Sequence, residues 1–167
     1  MYREMDFTEI SGEALEQLQR GAFLTVSDGE RANTMTIAWG TIGFMWKKPV
    51  FMVMVRYSRY THEIISKAGE FTVSFPLRGQ LKDALNVCGT KSGRDIDKFK
   101  ECSLKTEKGQ AVDTPIISDC DIHVECKIVY KQGMDESSLA DIIKESCYAG
   151  GDYHVLYYGE ILRAYRK

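Results

Sequence analysis

Apolar residues recur along the chain mostly in short runs with a period of two, the spacing of a half-buried strand. "AFLTVS" (Ala22–Ser27) and "EFTVSF" (Glu70–Phe75) are such runs, and "VFMVMV" (50–55) is apolar on both faces. An all-apolar run of that length reads as a strand buried on both sides. "DGERAN" follows the first run, and its Asp28-Gly29 pair is a hairpin signal. "TMTIAWGTIGFMW" (34–46) continues as a strand bent or bulged at Gly40 and Gly43, and Lys47-Lys48-Pro49 breaks it. "DCDIHVECKIVYKQ" (119–132) and "DYHVLYYGEILRAYR" (152–166) are longer strands, and neither face of the last is fully polar.

Helical spacing is scarcer. Residues 12–19 fit a short helix capped by Ser11, with Leu15 and Leu18 on one side. "THEIISKAG" (61–69) fits a second, closed by Gly69. "GQLKDALNVCG" (79–89) fits a third, with Leu81 and Leu85 at i and i+4. "MDESSLADIIKESCYAGG" (134–151) fits a fourth, starting near Asp135 or Ser137 and ended by Gly150-Gly151. "TKSGRDIDKFKEC" (90–102) is a polar loop or short helix. The helices do not alternate regularly with the strands, which argues against a doubly wound α/β fold. The pattern predicts a mainly β domain with peripheral helices, a small closed barrel whose outer face is covered by helices or a second subunit.

Length and composition narrow the class without naming a chemistry. The 167 residues suit a single domain over 1–167, and 44% hydrophobic with 28% charged is ordinary for a globular chain. A net charge of −2 gives no pull toward nucleic acid or an anionic membrane. No apolar run reaches the ~18 residues of a membrane span, and "MYREMDFTEI" has no signal-peptide core. Cys88, Cys102, Cys120, Cys126 and Cys147 are odd in number and form no C-x-x-C pair, so free thiols in a reducing cytoplasm are expected. Cys120, His123 and Cys126 are spaced like metal ligands, but on one strand the two cysteines share a face and the histidine takes the other. One zinc ion cannot gather all three, so no metal is expected.

Three segments carry candidate chemistry. In "RYSRYTHEII" (56–65) a strand runs into a helix, whose first N–H groups form a natural anion seat. Ser58 and Thr61 offer hydroxyls there, and Arg56 and Arg59 offer bidentate charge. The plain alternative is that Thr61 caps the helix, the arginines are solvated and the tyrosines pack. In "NTMTIAWG", Asn33, Thr34, Met35 and Thr36 lie near Trp39, an apolar and polar mix that suits a flat aromatic ligand or, equally, a core with a turn. "TKSGRDIDKF" places Lys91, Ser92, Arg94 and Lys98 on a glycine-containing loop, otherwise a solvated one.

Taken in order, "NTMTIAWG", the Trp46–Val50 run "WKKPV", "VRYSRYTHEII", "GEFTVSFP", "CGTKSGRDIDKF" and "YHVLYYGEIL" resemble the flavin reductase-like, FMN-binding split-barrel family, within it the flavoredoxin type. The resemblance covers roughly residues 22–162. It implies a six-stranded split barrel and a homodimer with non-covalent FMN near the subunit interface. It places Asn33, Thr34, Met35, Thr36 and Trp39 along the isoalloxazine ring. It gives Arg56, Ser58, Tyr60 and Thr61 the phosphate and ribityl end, with the loop carrying Lys91, Ser92 and Arg94 closing over it. His154 matches a histidine of the terminal H-x-x-x-x-G-E pattern. Where shorter members turn directly, this chain carries an extra helix over 135–149.

The implied activity is NAD(P)H-dependent reduction of flavin or another small acceptor. The alternatives are a flavoredoxin-like carrier that passes electrons to a protein partner, and a non-catalytic flavin-binding or haem-related module. No Ser-His-Asp set, HExxH motif or paired carboxylate nominates a catalytic side chain. The missing GxGxxG motif leaves NADH or NADPH only a transient seat.

Overall fold

The computed structural model describes residues 1–167. Its elements begin with β1 (Arg3–Glu4), α1 (Phe7–Leu18), β2 (Ala22–Ser27), β3 (Ala32–Ile37), β4 (Gly40–Met45) and β5 (Lys48–Arg56). They continue with α2 (Tyr60–Ile65), β6 (Glu70–Phe75), α3 (Lys82–Thr90), α4 (Lys98–Glu101), β7 (Thr106–Glu107) and β8 (Ile116–Ile117). They end with β9 (Ile122–Gly133), a 3-10 turn (Glu136–Ser138), α5 (Asp141–Cys147) and β10 (His154–Arg166). The main sheet runs in the order β3-β2-β6-β9-β10-β5-β4, with β1 beside β10 and every pair antiparallel. Its two outermost strands, β3 and β4, are consecutive in the chain, separated only by Ala38 and Trp39. The sheet therefore begins and ends on one bent segment and closes on itself as a barrel. That segment counts once in the expected six strands and twice along the observed path. The bend falls at Ala38-Trp39, and Gly40 serves it: a Cβ there would stand 2.8 Å from the Met52 carbonyl oxygen.

A closed sheet has one inward face, and period-two alternation fills it. Leu24 and Val26 of β2, Phe51, Val53 and Val55 of β5, and Phe71, Val73 and Phe75 of β6 form one core. Helix α1 adds Ile10, Ala14 and Leu18, and α2 adds Ile64 and Ile65. Each of these side chains other than Ala14 stabilises the fold by roughly 1.5–3 kcal/mol. The opposite face of β2 presents Phe23 to a smaller core with Ala84, Leu85 and Cys88 of α3 and with Leu104, Ile117 and Cys120. This second core holds α3 against β2 and β3, and so sets the loop after α3 beside the start of α2.

Several local expectations are corrected. Helix α1 begins at Phe7 rather than Gly12, because Asp6 caps it: the carboxylate accepts from the Thr8 N–H at 2.9 Å, and Glu9 reaches back to the Asp6 N–H at 2.7 Å. Ser11 lies inside the helix and donates to the Thr8 carbonyl. The strand does break at Lys47, but Lys48 and Pro49 already belong to β5. The turn is Trp46-Lys47, both left-handed (φ 52° and 59°), the twist a tight hairpin wants. Pro49 pairs with Phe44 beyond the end of the β10 pairing, where a missing N–H is tolerated. "VFMVMV" buries Phe51, Val53 and Val55 inward and leaves Met52 and Met54 half-buried outside.

Helix α2 stops at Ile65, well before Gly69, and Arg59 is its cap residue without a side-chain bond. Thr61 is therefore not a cap. Helix α3 starts at Lys82, with Leu81 outside it as a left-handed cap residue (φ 62°). The single helix expected over 134–151 divides into the 3-10 turn, where Asp135 accepts from the Ser137 N–H, and the seven-residue α5; neither buries a residue. Cys120 precedes β9 and packs in the second core, whereas Cys126 lies in the first. His123 sits on the other face of β9, with Nδ1 3.0 Å from the Ser74 hydroxyl oxygen. No helix is long and apolar enough to cross a membrane.

Candidate functional site

The ends of three strands and one loop converge. Arg56 ends β5 and is paired in register with His154, which begins β10. Trp39 follows β3, and the turn 57–59 follows β5. Two adjoining clefts open there and share Met35, Arg56 and Arg59. The first, of about 230 Å³, has walls of Met35, Ile37, Ala38, Trp39 and Met54, with Thr36 and His154 at its margin. The second, of about 320 Å³, is polar: Asn33, Ser58, Tyr60 and Thr61 face Thr90, Lys91, Ser92, Arg94, Lys98 and Asp152. A larger hollow of about 610 Å³ lies between Arg20 and Lys82 and meets the first cleft only through Thr36; it has no aromatic wall.

Each side chain is held for a stated reason. Thr61 is buried and accepts from the Asn33 side-chain amide at 2.9 Å, which ties α2 to β3. Loop 91–94 lies directly on this pair, because Gly93 has no side chain: a Cβ there would strike Asn33 and come within 2.6 Å of the Tyr60 ring. The guanidinium groups of Arg31 and Arg94 stand over the Tyr60 ring, 5.8 and 5.5 Å from its centre. Arg94 pairs with Glu63, and one of its Nη groups reaches the Ser58 carbonyl.

Arg56 donates to the carbonyls of Asp152 (2.8 Å) and Cys147 (3.1 Å) and stacks on Tyr148. Ser58 donates its N–H and its hydroxyl to the Asp152 carboxylate. Arg59 donates to the Gly89 carbonyl at 3.0 Å and Lys98 to the Cys88 carbonyl at 2.9 Å. Lys98 is only 4% exposed, and burial lowers its pKa.

His154 closes the apolar cleft. Its Nδ1 lies 2.6 Å from the Tyr148 hydroxyl, and its ring is tilted 5.5 Å from that of Trp39. Burial, then the cations Arg56 and Arg59, push its pKa down to about 4, against the smaller opposing pull of Asp152. The ring is therefore neutral at neutral pH, and it shares one proton-bearing hydrogen bond with Tyr148, whose own pKa burial raises.

Of the sequence-predicted residues, Asn33, Met35, Arg56, Ser58, Tyr60, Thr61, Lys91, Ser92 and Arg94 meet in the polar cleft, and Thr36 and Trp39 in the apolar one. Thr34 does not join them. It is buried, its hydroxyl engaged with Thr25 and the Leu24 carbonyl, because alternation along β3 turns it away from Asn33 and Met35. Arg59, left open by the sequence, lines both clefts. Lys98 and Asp152 were missed as site residues. "DKF" made Lys98 visible as a cation, but nothing in the sequence marked it as buried. Nothing marked Asp152 as close to Ser58, since 94 residues separate them.

Residues 17–167 match the sequence model of the flavin reductase-like domain. An uncharacterized protein of Archaeoglobus fulgidus is 35% identical over 107 residues, which are 64% of this chain and 59% of that relative. Among solved structures, a flavoredoxin from Methanosarcina acetivorans is similar with TM-score 0.67 and 26% identity, over 88% of this chain and 68% of that one. An FMN-binding protein from Thermus thermophilus with bound 1-cyclohex-2-enone has TM-score 0.68 and 25% identity, over 87% of this chain and 69% of that one.

Proposed function

The chain belongs to the flavin reductase-like domain family, and we propose that it is an FMN-binding oxidoreductase that reduces flavin or another small acceptor with NADH or NADPH. One observation carries the reading: an apolar, Trp39-walled cleft runs directly into a cation-rich polar one through Met35, Arg56 and Arg59. FMN joins a flat ring system to a phosphate dianion, and the donor set fits both ends. Met35, Ile37 and Met54 supply a surface for the ring. Arg59, Lys91, Lys98 and Thr90 supply charge and a hydroxyl toward the phosphate. Bound FMN would supply the hydride and electron chemistry, and the protein position and electrostatics. His154 stays neutral beside that surface, and its bond to Tyr148 fixes the ring. Trp39, 45% exposed, stands at the mouth, where a nicotinamide could stack transiently.

A homodimer fits an exposed aromatic face on the outside of the barrel. Trp46, 54% exposed, packs edge-on to Tyr130 and Tyr158 there. The same outer face carries Met52 and Met54 along β5 toward the cleft. Two copies joined there would set FMN near the interface. The free cysteines suit a reducing cytoplasm. The second reading, a flavoredoxin-like carrier serving a protein acceptor, draws on the M. acetivorans likeness and the exposed cleft mouth.

The deciding experiment loads the protein with FMN and follows NADH and NADPH oxidation with a panel of acceptors. Oxidation faster than with free FMN supports the reductase. No acceleration, with the protein remaining yellow, selects the carrier. A colourless protein that takes up no FMN refutes the reading at its root.

A further inference from the structure

Asp152 stands at the polar cleft's edge and spends the donors that a phosphate would use. Its carboxylate accepts from the Ser58 N–H at 3.1 Å through Oδ1 and from the Ser58 hydroxyl at 2.5 Å through Oδ2. Its carbonyl takes an Arg56 donor at 2.8 Å. A carboxylate and a phosphate monoester present the same acceptor chemistry, and their like charges oppose sharing one seat. The surrounding cleft is otherwise cationic, with Arg59, Lys91 and Lys98 on its walls.

The segment that carries Asp152 is lightly held. Helix α5 and the preceding 3-10 turn bury no residue, and Ile142 is 73% exposed. Apart from Tyr148 and the Met134 N–H, which donates to the His154 carbonyl at 2.9 Å, its ties to the barrel run largely through Arg56 and Asp152. Gly151 (φ 74°) and Asp152 (φ 56°) are both left-handed, so the joint is a sharp turn in which an aspartate is tolerated and a glycine is at ease.

We propose that Asp152 is an internal anion that competes with the phosphate of the ligand at Ser58 and so sets how strongly the site prefers a phosphorylated flavin to an unphosphorylated one. The inference rests on the reading above that FMN's phosphate lies in the polar cleft. Arrival of that phosphate displaces the carboxylate from Ser58 and loosens the segment 134–152. A purely anchoring Asp152, which keeps Arg56 and Ser58 in place for the ligand, predicts weaker FMN binding in the variants below.

Asp152→Asn keeps the shape and removes the charge, and Asp152→Gly also suits the backbone. Affinities for FMN and riboflavin are measured for both variants and the wild type in phosphate-free buffer. FMN should bind the variants roughly five- to tenfold more tightly, as expected for removing one like charge at a partly screened site. Riboflavin should change by less than about twofold, which also shows that the variants fold. Inorganic phosphate should compete with FMN at lower concentration in the variants. In the wild type, FMN but not riboflavin should raise amide exchange across 134–152. Unchanged or weakened FMN binding in the variants, beside a clear wild-type preference for FMN over riboflavin, overturns this proposal alone. Equal binding of the two flavins by the wild type and by both variants overturns the phosphate assignment and this proposal with it.

Discussion

Two carboxylates tie a loop to the barrel, and they do so in opposite ways. Glu125 of β9 is fully buried and accepts from the N–H groups of Gln110, Ala111 and Val112 and from the Tyr165 hydroxyl, at 2.5–3.0 Å. Asp152 is exposed, its carboxylate accepts from one residue, and it lines a cleft of cations. At Glu125 the charge is enclosed by donors, and no comparable ligand has access to them. At Asp152 the donors remain reachable. Burial and donor count thus separate an anion that is part of the fold from one that can be exchanged.

The largest effect expected is on the closed side. Glu125→Ala leaves three backbone amides, that of Val112 buried, and the buried Tyr165 hydroxyl without their acceptor and should destabilise the fold by about 3–5 kcal/mol. That lowers the melting temperature by on the order of 10 °C in a chain of this size. A smaller drop than that of Asp152→Asn would break the comparison.

The next effect is pH. His123, near Tyr165, is buried, and burial pushes its pKa down from 6.5 to about 4. Its neutral form is favoured in the fold, so the unfolded state binds more protons between those values. Its contribution is full above pH 6.5 and is lost as pH falls toward 4, on the order of 2–3 kcal/mol. His154 on the cleft side shares the sign. Urea titrations at pH 7 and pH 4.5 should show His123→Gln less acid-sensitive than the wild type; an equal loss would refute the assignment.

On the open side, Arg59→Ala should weaken FMN by about 1.5–3 kcal/mol and riboflavin by much less. Fluorescence titration measures both, and equal losses would remove Arg59 from the phosphate end. The smallest expected effect is the stability change of Asp152→Asn, within about 0.5 kcal/mol, since an exposed carboxylate bonded to one serine contributes little. A thermal melt checks it, and a loss rivalling Glu125→Ala would show that Asp152 belongs to the fold after all.

The strands were legible because alternation is a local property. β2 and β6 have the bounds the sequence predicted, and the bent segment 34–46 is the one that closes the barrel. Helix ends were less legible. The Asp6–Glu9 capping box was visible in the sequence as D-x-x-E, but the apolar count began later. The extra helix fell into two pieces because no apolar face of it is buried, which periodicity alone cannot report. At the site, residue types were readable and partners were not. Thr34 is fully buried with its hydroxyl on the Leu24 carbonyl, whereas Thr36 lines the apolar cleft with its hydroxyl on the Leu85 carbonyl, and Arg59 differs from a solvated arginine in facing two clefts.

What the sequence determined by itself, then, is where strands such as 22–27 and 70–75 run, and the cations and hydroxyls of "RYSRYTHEII" and "TKSGRDIDKF". Local spacing is sufficient for both. Only the tertiary structure decided that these two segments meet over Asn33 and Tyr60, that Lys98 is buried beside them, and that Asp152 takes the Ser58 donors. Those facts depend on barrel closure, which brings together residues far apart in the chain, and on burial, which sets whether a charge is enclosed or exchangeable.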